Sequence, residues 1–193
     1  MEYTVSKTKR NGIILCASFL ILYVLATRLL LLFYIPPSFN LTDGLILNVL
    51  FIIPFGYLML VFFQYFKHYR LTIPQFTVLV IFILEIVFKS TLFTNLFESP
   101  WKKVLFITAN TVMILAIIVL IISTHINKTK ADKGISFIRN YAITQLLVFV
   151  LIPIFPLFSE PANAFQSQQI IELTSAIPYI FIIVFGLRLR LRE

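Results

Sequence analysis

The sequence has 193 residues, of which 60% are hydrophobic and 12% are charged, with a mean hydropathy of +0.97. Water-soluble domains are about half apolar and about one quarter charged, so the composition excludes an ordinary soluble fold. The net charge of +8 fits nucleic acid or a membrane surface, and basic residues placed beside long apolar runs favour the membrane over nucleic acid.

Six apolar segments follow one another, each near the length of about 20 residues that a helix needs to cross a bilayer. They are residues 12–35, 45–66, 73–97, 104–124, 138–158 and 170–187. They do not alternate with period two, so helices are expected rather than barrel strands. The first is too long for a signal peptide and is expected to remain. We predict one transmembrane domain over residues 1–193, an all-α polytopic helical bundle.

Basic residues predict the orientation of this bundle. Of the 16 Lys and Arg, all but four fall beside span ends on the side of the N-terminus. The exceptions are Lys102 and Lys103 on the other side, and Arg28 and Lys89 within spans. The positive-inside rule therefore predicts six spans with both termini cytoplasmic, in a plasma or inner membrane. An inner belt of interfacial aromatic residues is predicted at Tyr65, Tyr69 and Tyr141.

Several spans carry polar or charged residues at comparable depth. Glu85 and Lys89 lie one helical turn apart in the third span, and a rise of roughly 1.5 Å per residue places Arg28 near the height of Lys89. Charged groups inside a membrane cost at least a few kcal/mol and usually face the interior of the bundle. We therefore predict a ligand-binding cluster in the outer half of the bilayer, formed by Arg28, Glu85, Lys89, Glu172, Asn48 and Asn110.

Simpler interpretations compete with a ligand site. Glu85 and Lys89 can pair along one helix face, which needs no ligand. Glu172 suits a helix N-terminus, and the long stems of Arg28 and Lys89 can reach toward the interface. Arg28 has no acidic residue on its own span, so it is the best candidate for an interhelical partner or an anionic ligand. Whether Glu85 pairs with Lys89 or with Arg28 is the question that the sequence leaves open.

Other reactive residues give no recognisable site. The single cysteine, Cys16, permits neither an intrachain disulfide nor a Cys-based metal site. His68 and His125 lie among lysines at span ends, and no nucleophile motif or glycine-rich phosphate loop is present. We predict no metal, no cofactor and no catalytic residue.

Three classes of function fit these observations. The first is a transporter-like or solute- or lipid-binding protein that uses the polar cluster. The second is a non-catalytic accessory or assembly subunit of a larger membrane complex. The third is an intramembrane enzyme acting on a lipid-linked substrate, with Glu85 as acid or base and Arg28 or Lys89 holding a phosphate. The first is preferred, and the expected partners are membrane lipids and another membrane subunit.

Overall fold

The computed structural model describes residues 3–33, 41–89, 101–154 and 169–192. Its helices are α1 (Lys7–Phe33), α2 (Leu41–His68), α3 (Thr72–Lys89), α4 (Trp101–Ile126), α5 (Gly134–Ile154) and α6 (Ile177–Arg188). A 3₁₀ segment, Leu173–Ala176, precedes α6. One helical turn at residues 169–172, the 3₁₀ segment and α6 together form the last span, Gln169–Arg188. Two short strands, β1 (Thr4–Val5) and β2 (Arg190–Leu191), flank the helices.

Five of these helical segments are long and apolar enough to cross a membrane, so the protein is a helical integral membrane protein. The shorter apolar helix is α3, and residues 90–97 of the predicted third span lie outside the described part of the chain. β1 pairs in parallel with β2, which places both chain ends at the same end of the bundle. This end is called the terminal end below, and the opposite one the far end. Paired chain ends favour an even number of crossings; six spans and cytoplasmic termini stay predictions.

The helices form a closed ring in chain order. Each helix packs against the next one along the chain, and α6 packs back against α1. The strand pair between β1 and β2 closes the ring at its terminal end. Antiparallel neighbours joined by short connections are the simplest way to assemble such a bundle. The arrangement leaves a central space that all six helices face.

The outside of the ring is apolar. Large hydrophobic side chains are strongly exposed on successive helices, among them Leu15, Leu22, Ile53, Leu115 and Leu147. A water-soluble protein would not expose apolar residues around its whole circumference, whereas lipid chains solvate such a surface. The exposed faces are therefore the lipid-facing surface of the bundle.

Aromatic side chains fill the terminal half of the ring. Phe62 packs edge-to-face on Tyr141 and on Phe185, with ring centroids 5.7 Å apart in each pair, and Tyr65 packs on Phe185 at 5.4 Å. Tyr65 and Tyr141 are almost fully buried. The predicted interfacial role of these two tyrosines is therefore wrong: they are core residues, because the ring encloses the faces that carry them.

A carboxylate in the loop before α5 organises the terminal end. Asp132 accepts hydrogen bonds from the Tyr65 and Tyr69 hydroxyls, each at 2.6 Å, and from the Gly134 backbone N–H at 2.8 Å. The Tyr69 hydroxyl in turn accepts a hydrogen bond from the Tyr3 N–H at 3.0 Å. Burial, and then the hydrogen bond to Asp132, raises the pKa of Tyr69 to about 12. The N-terminal segment is thus tied to α2 and to the loop between α4 and α5.

Candidate functional site

The far half of the ring contains a cavity of about 710 Å³. Every helix from α1 to α5 and the last span contribute at least one residue to its lining. The cavity lies above the aromatic packing of the terminal half, with Tyr179 on its lining. Its polar lining residues are Thr27, Arg28, Glu85, Asn110, Thr111, Gln145, Glu172 and Ser175.

An ion pair joins two neighbouring helices at the cavity. Nη1 of Arg28 on α1 lies 2.5 Å from Oε2 of Glu172 in the last span. The same nitrogen donates to Oε1 of Gln169 at 3.5 Å. The side chains of Arg28 and Glu172 are 30% and 10% exposed, so the pair is largely removed from water. Arg28 therefore has an interhelical acidic partner, and that partner is Glu172 rather than Glu85.

The start of the last span has an irregular backbone where it meets the cavity. The Ile177 N–H bonds to the Thr174 carbonyl, as in a 3₁₀ turn, and Pro178, which has no N–H, occupies the first turn of α6. The Ser175 hydroxyl donates to the Glu172 carbonyl at 2.5 Å. Glu172 directly precedes this 3₁₀ segment and lines the cavity.

Glu85 lies on the opposite side of the ring from this irregular segment, because α3 and the last span are three helices apart in the closed order. Its side chain is buried, with 9% of its surface exposed. Glu85 and Gln145 also line a small neighbouring void of about 10 Å³, together with Tyr141. A space of that size holds about one water molecule. Oε1 of Gln145 is buried and has no hydrogen-bond partner among the described residues, so a water there would satisfy it.

The remaining lining is apolar and bulky. Phe51, Val148, Phe149 and Ile152 face the same cavity as the charged groups. Ligand sites are typically concave and mainly apolar, with a few placed polar groups. The cavity has that character, with charges on two sides and hydrocarbon surface between them.

Four of the six residues predicted for the cluster line this cavity: Arg28, Glu85, Asn110 and Glu172. Asn48 is partly buried on α2 but is not among the described residues that line the cavity. Lys89 ends α3, and its side chain lies outside the described part, so a Glu85–Lys89 pair is not tested. No ion pair joins Arg28 to Glu85 in the part of the chain described. That these residues bind a ligand stays a prediction.

The predicted cluster lacked several contributors to the site, among them Gln145 and Tyr179. Gln145 is a polar residue inside an apolar span, which was a usable signal. Tyr179 looks like an ordinary apolar-span aromatic, and nothing in the sequence distinguishes it from the tyrosines elsewhere. Among the described residues, no group of three or more His, Cys, Asp or Glu is placed to hold a metal ion.

Comparison with known proteins gives no family. No protein-family model matches the sequence, and no significant match is found among curated proteins or solved structures. The chemistry of the cavity is therefore the only basis for inferring function.

Proposed function

We propose that the protein is a ligand-binding, transporter-like protein of the plasma or inner membrane that holds a small amphiphilic molecule in the far-half cavity. One observation carries the proposal: all six helices of the ring meet at one cavity, and charged residues from three of them line it. Intramembrane charges usually line a substrate path or pair with one another. Arg28, Glu85 and Glu172 do so around an internal space.

The dimensions of the cavity support this role. Sites for small molecules enclose about 300–1,000 Å³, and the cavity of about 710 Å³ falls within that range. Its apolar surface suits a hydrocarbon portion and its charged groups suit a polar one. The packed aromatic residues of the terminal half, including Phe62, Tyr65 and Phe185, support a binding chamber rather than a permanently open pore.

Two adjacent residues of α5 offer a matched test. Val148 lines the cavity and is 5% exposed, whereas Leu147 faces lipid and is 55% exposed. Val148→Trp should fill part of the cavity, and Leu147→Trp should place the same side chain in lipid. We expect the wild-type protein and Leu147→Trp, extracted in mild detergent, to retain a bound amphiphile in native mass spectrometry. Val148→Trp should lose it.

Thermal unfolding of the three proteins provides the control for folding. The proposal is wrong if a folded Val148→Trp variant retains the same bound molecule to the same extent as wild type. It is also wrong if wild-type protein carries no bound molecule and none of the added membrane lipids stabilises it. Stable co-purification of a second membrane chain, with the cavity substitution having no effect, would instead favour the accessory-subunit function.

A further inference from the structure

We infer that the ligand is a zwitterion, with an oxyanion bound by the second edge of the Arg28 guanidinium and an ammonium bound by Glu85 across the ring. This inference rests on the proposed function and adds the chemical class of the ligand. It follows from how the charges are distributed around the cavity. The zwitterion can be a lipid headgroup or a free solute, and both share the same two charged groups.

The guanidinium of Arg28 is only partly used by the protein. Both of its contacts with described residues, to Glu172 and to Gln169, are made by Nη1. Arginine carries five N–H donors in a planar fork. Because both contacts use Nη1, the edge formed by Nε and Nη2 makes no hydrogen bond within the described chain. That edge matches two oxygens of a phosphate or carboxylate. Arg28 lines the cavity, and its side chain is 30% exposed, so an oxyanion can reach it.

Glu172 has a positioning role in this arrangement. Its carboxylate pairs with Nη1 and so ties the guanidinium to the last span. It also balances the charge of Arg28, so the pair attracts an isolated anion only weakly. An oxyanion gains from the pair mainly through directed hydrogen bonds, which is typical of recognition by a bidentate arginine.

Glu85 would bind the ammonium of the ligand on the other side of the cavity. Its carboxylate lies on α3, across the ring from the last span, and is 9% exposed. A carboxylate has about four lone-pair sites, so it can accept an ammonium in addition to other contacts. The rings of Phe51 and Tyr179 line the same cavity, and aromatic faces also attract ammonium groups.

The combination favours a zwitterion over simpler ligands. The described part of the lining offers hydrogen-bond donors on the second edge of Arg28 and a carboxylate acceptor on Glu85. An anion alone would use only the donors, and a cation alone only the acceptor. A zwitterion places each of its charges beside an opposite one, and the wall of Phe51, Val148, Phe149 and Ile152 covers its apolar portion.

The test uses the full chain in nanodiscs that contain equal amounts of phosphatidylethanolamine and phosphatidylglycerol with identical acyl chains. Retained lipids are counted by native mass spectrometry after transfer to detergent. We expect phosphatidylethanolamine to be retained at least tenfold more than phosphatidylglycerol. Glu85→Gln should reduce that ratio at least tenfold, because it removes only the partner of the ammonium. Arg139→Gln, at the terminal end beside His125, is the control and should leave the ratio unchanged.

Arg28 is tested with a variant that also removes the charge of Glu172, its ion-pair partner. Arg28→Gln combined with Glu172→Gln keeps this part of the cavity uncharged, and should lower retention of both lipids at least tenfold. Because Lys89 lies one turn beyond Glu85 on α3, Lys89→Gln is measured in parallel and should leave the preference for phosphatidylethanolamine intact. Protection against heating by soluble glycerophosphoethanolamine would identify a free zwitterion as the source, and protection by the lipid alone would identify a headgroup.

Two results would overturn the zwitterion. One is retention of phosphatidylglycerol equal to or above that of phosphatidylethanolamine. The other is a headgroup ratio that Glu85→Gln leaves unchanged. If the ratio does not change but Val148→Trp still abolishes retention, the proposed function stands and the inference on ligand class fails. If Val148→Trp has no effect on retention, the cavity is not the binding site and both fail.

Discussion

Replacing Arg28 with methionine removes the positive half of the ion pair that joins α1 to the last span. Glu172, whose side chain is 10% exposed, would lose this ion pair. Removing one member of a fully buried pair costs about 3–5 kcal/mol. Because the Arg28 side chain is 30% exposed, solvent weakens the pair, and we expect a loss of about 2–3 kcal/mol for Arg28→Met. Glu172→Leu should cost a similar amount.

The double variant Arg28→Met/Glu172→Leu should lie within about 1 kcal/mol of wild type, because apolar residues of similar volume often replace a buried pair without loss. Unfolding can be followed in detergent by labelling of the single cysteine, Cys16, which is partly buried on α1. A double variant as unstable as the sum of both single variants would refute this reasoning.

Three further predictions concern the terminal end. Asp132→Ala removes the acceptor of two hydroxyl groups and leaves the Tyr65 hydroxyl buried. We expect the free energy of unfolding, measured by thermal unfolding, to fall by about 2–4 kcal/mol. A fall of less than about 1 kcal/mol would contradict a stabilising role of these hydrogen bonds. Gly134→Ala would place Cβ 2.7 Å from Oδ1 of Asp132 and should cost about 1–3 kcal/mol, whereas alanine at the exposed neighbour Lys133 should be neutral. The pKa of Tyr69 is about 12 in the folded protein, compared with 10.0 for an unperturbed tyrosine, so its contribution to stability is complete below pH 10 and is lost as the pH rises to 12. Tyr69→Phe should flatten the dependence of stability on pH in that window, and an unchanged curve would exclude this contribution.

Helical rise was sufficient to place Arg28 and Glu172 at matching depth, because height along a span depends only on the residue count. The sequence did not show that α1 and the last span are neighbours. That contact depends on closure of the ring, which is a property of the whole bundle. Glu85 and Asn110 line the same cavity as that pair, whereas Asn48 is not among the described residues that line it.

In this protein the hydrophobic pattern of a helix does not show which of its residues face the interior, and the reason is physical. A soluble helix has a polar face and an apolar face, so its pattern shows which residues lie inside. Here lipid and core are both apolar, and adjacent residues such as Leu147 and Val148 read alike although one faces lipid and the other the cavity. Tyr65 illustrates the same limit, because its burial depends on closure of the ring and its hydroxyl bonds to Asp132 in a loop remote in sequence.

Because α1 packs against the last span, Arg28 enters the membrane well before its partners are synthesised. Arg28 enters the bilayer with α1, but the span that carries Gln169 lies 141 residues later in the chain. At synthesis rates of about 5–20 residues per second, that separation corresponds to an interval of roughly 7–28 s. During that time the guanidinium has neither of its partners from the last span and must be held by water, lipid headgroups or a chaperone. Nascent chains halted before residue 169 should therefore expose Arg28 to the insertion machinery, and only completion of the last span closes the ring.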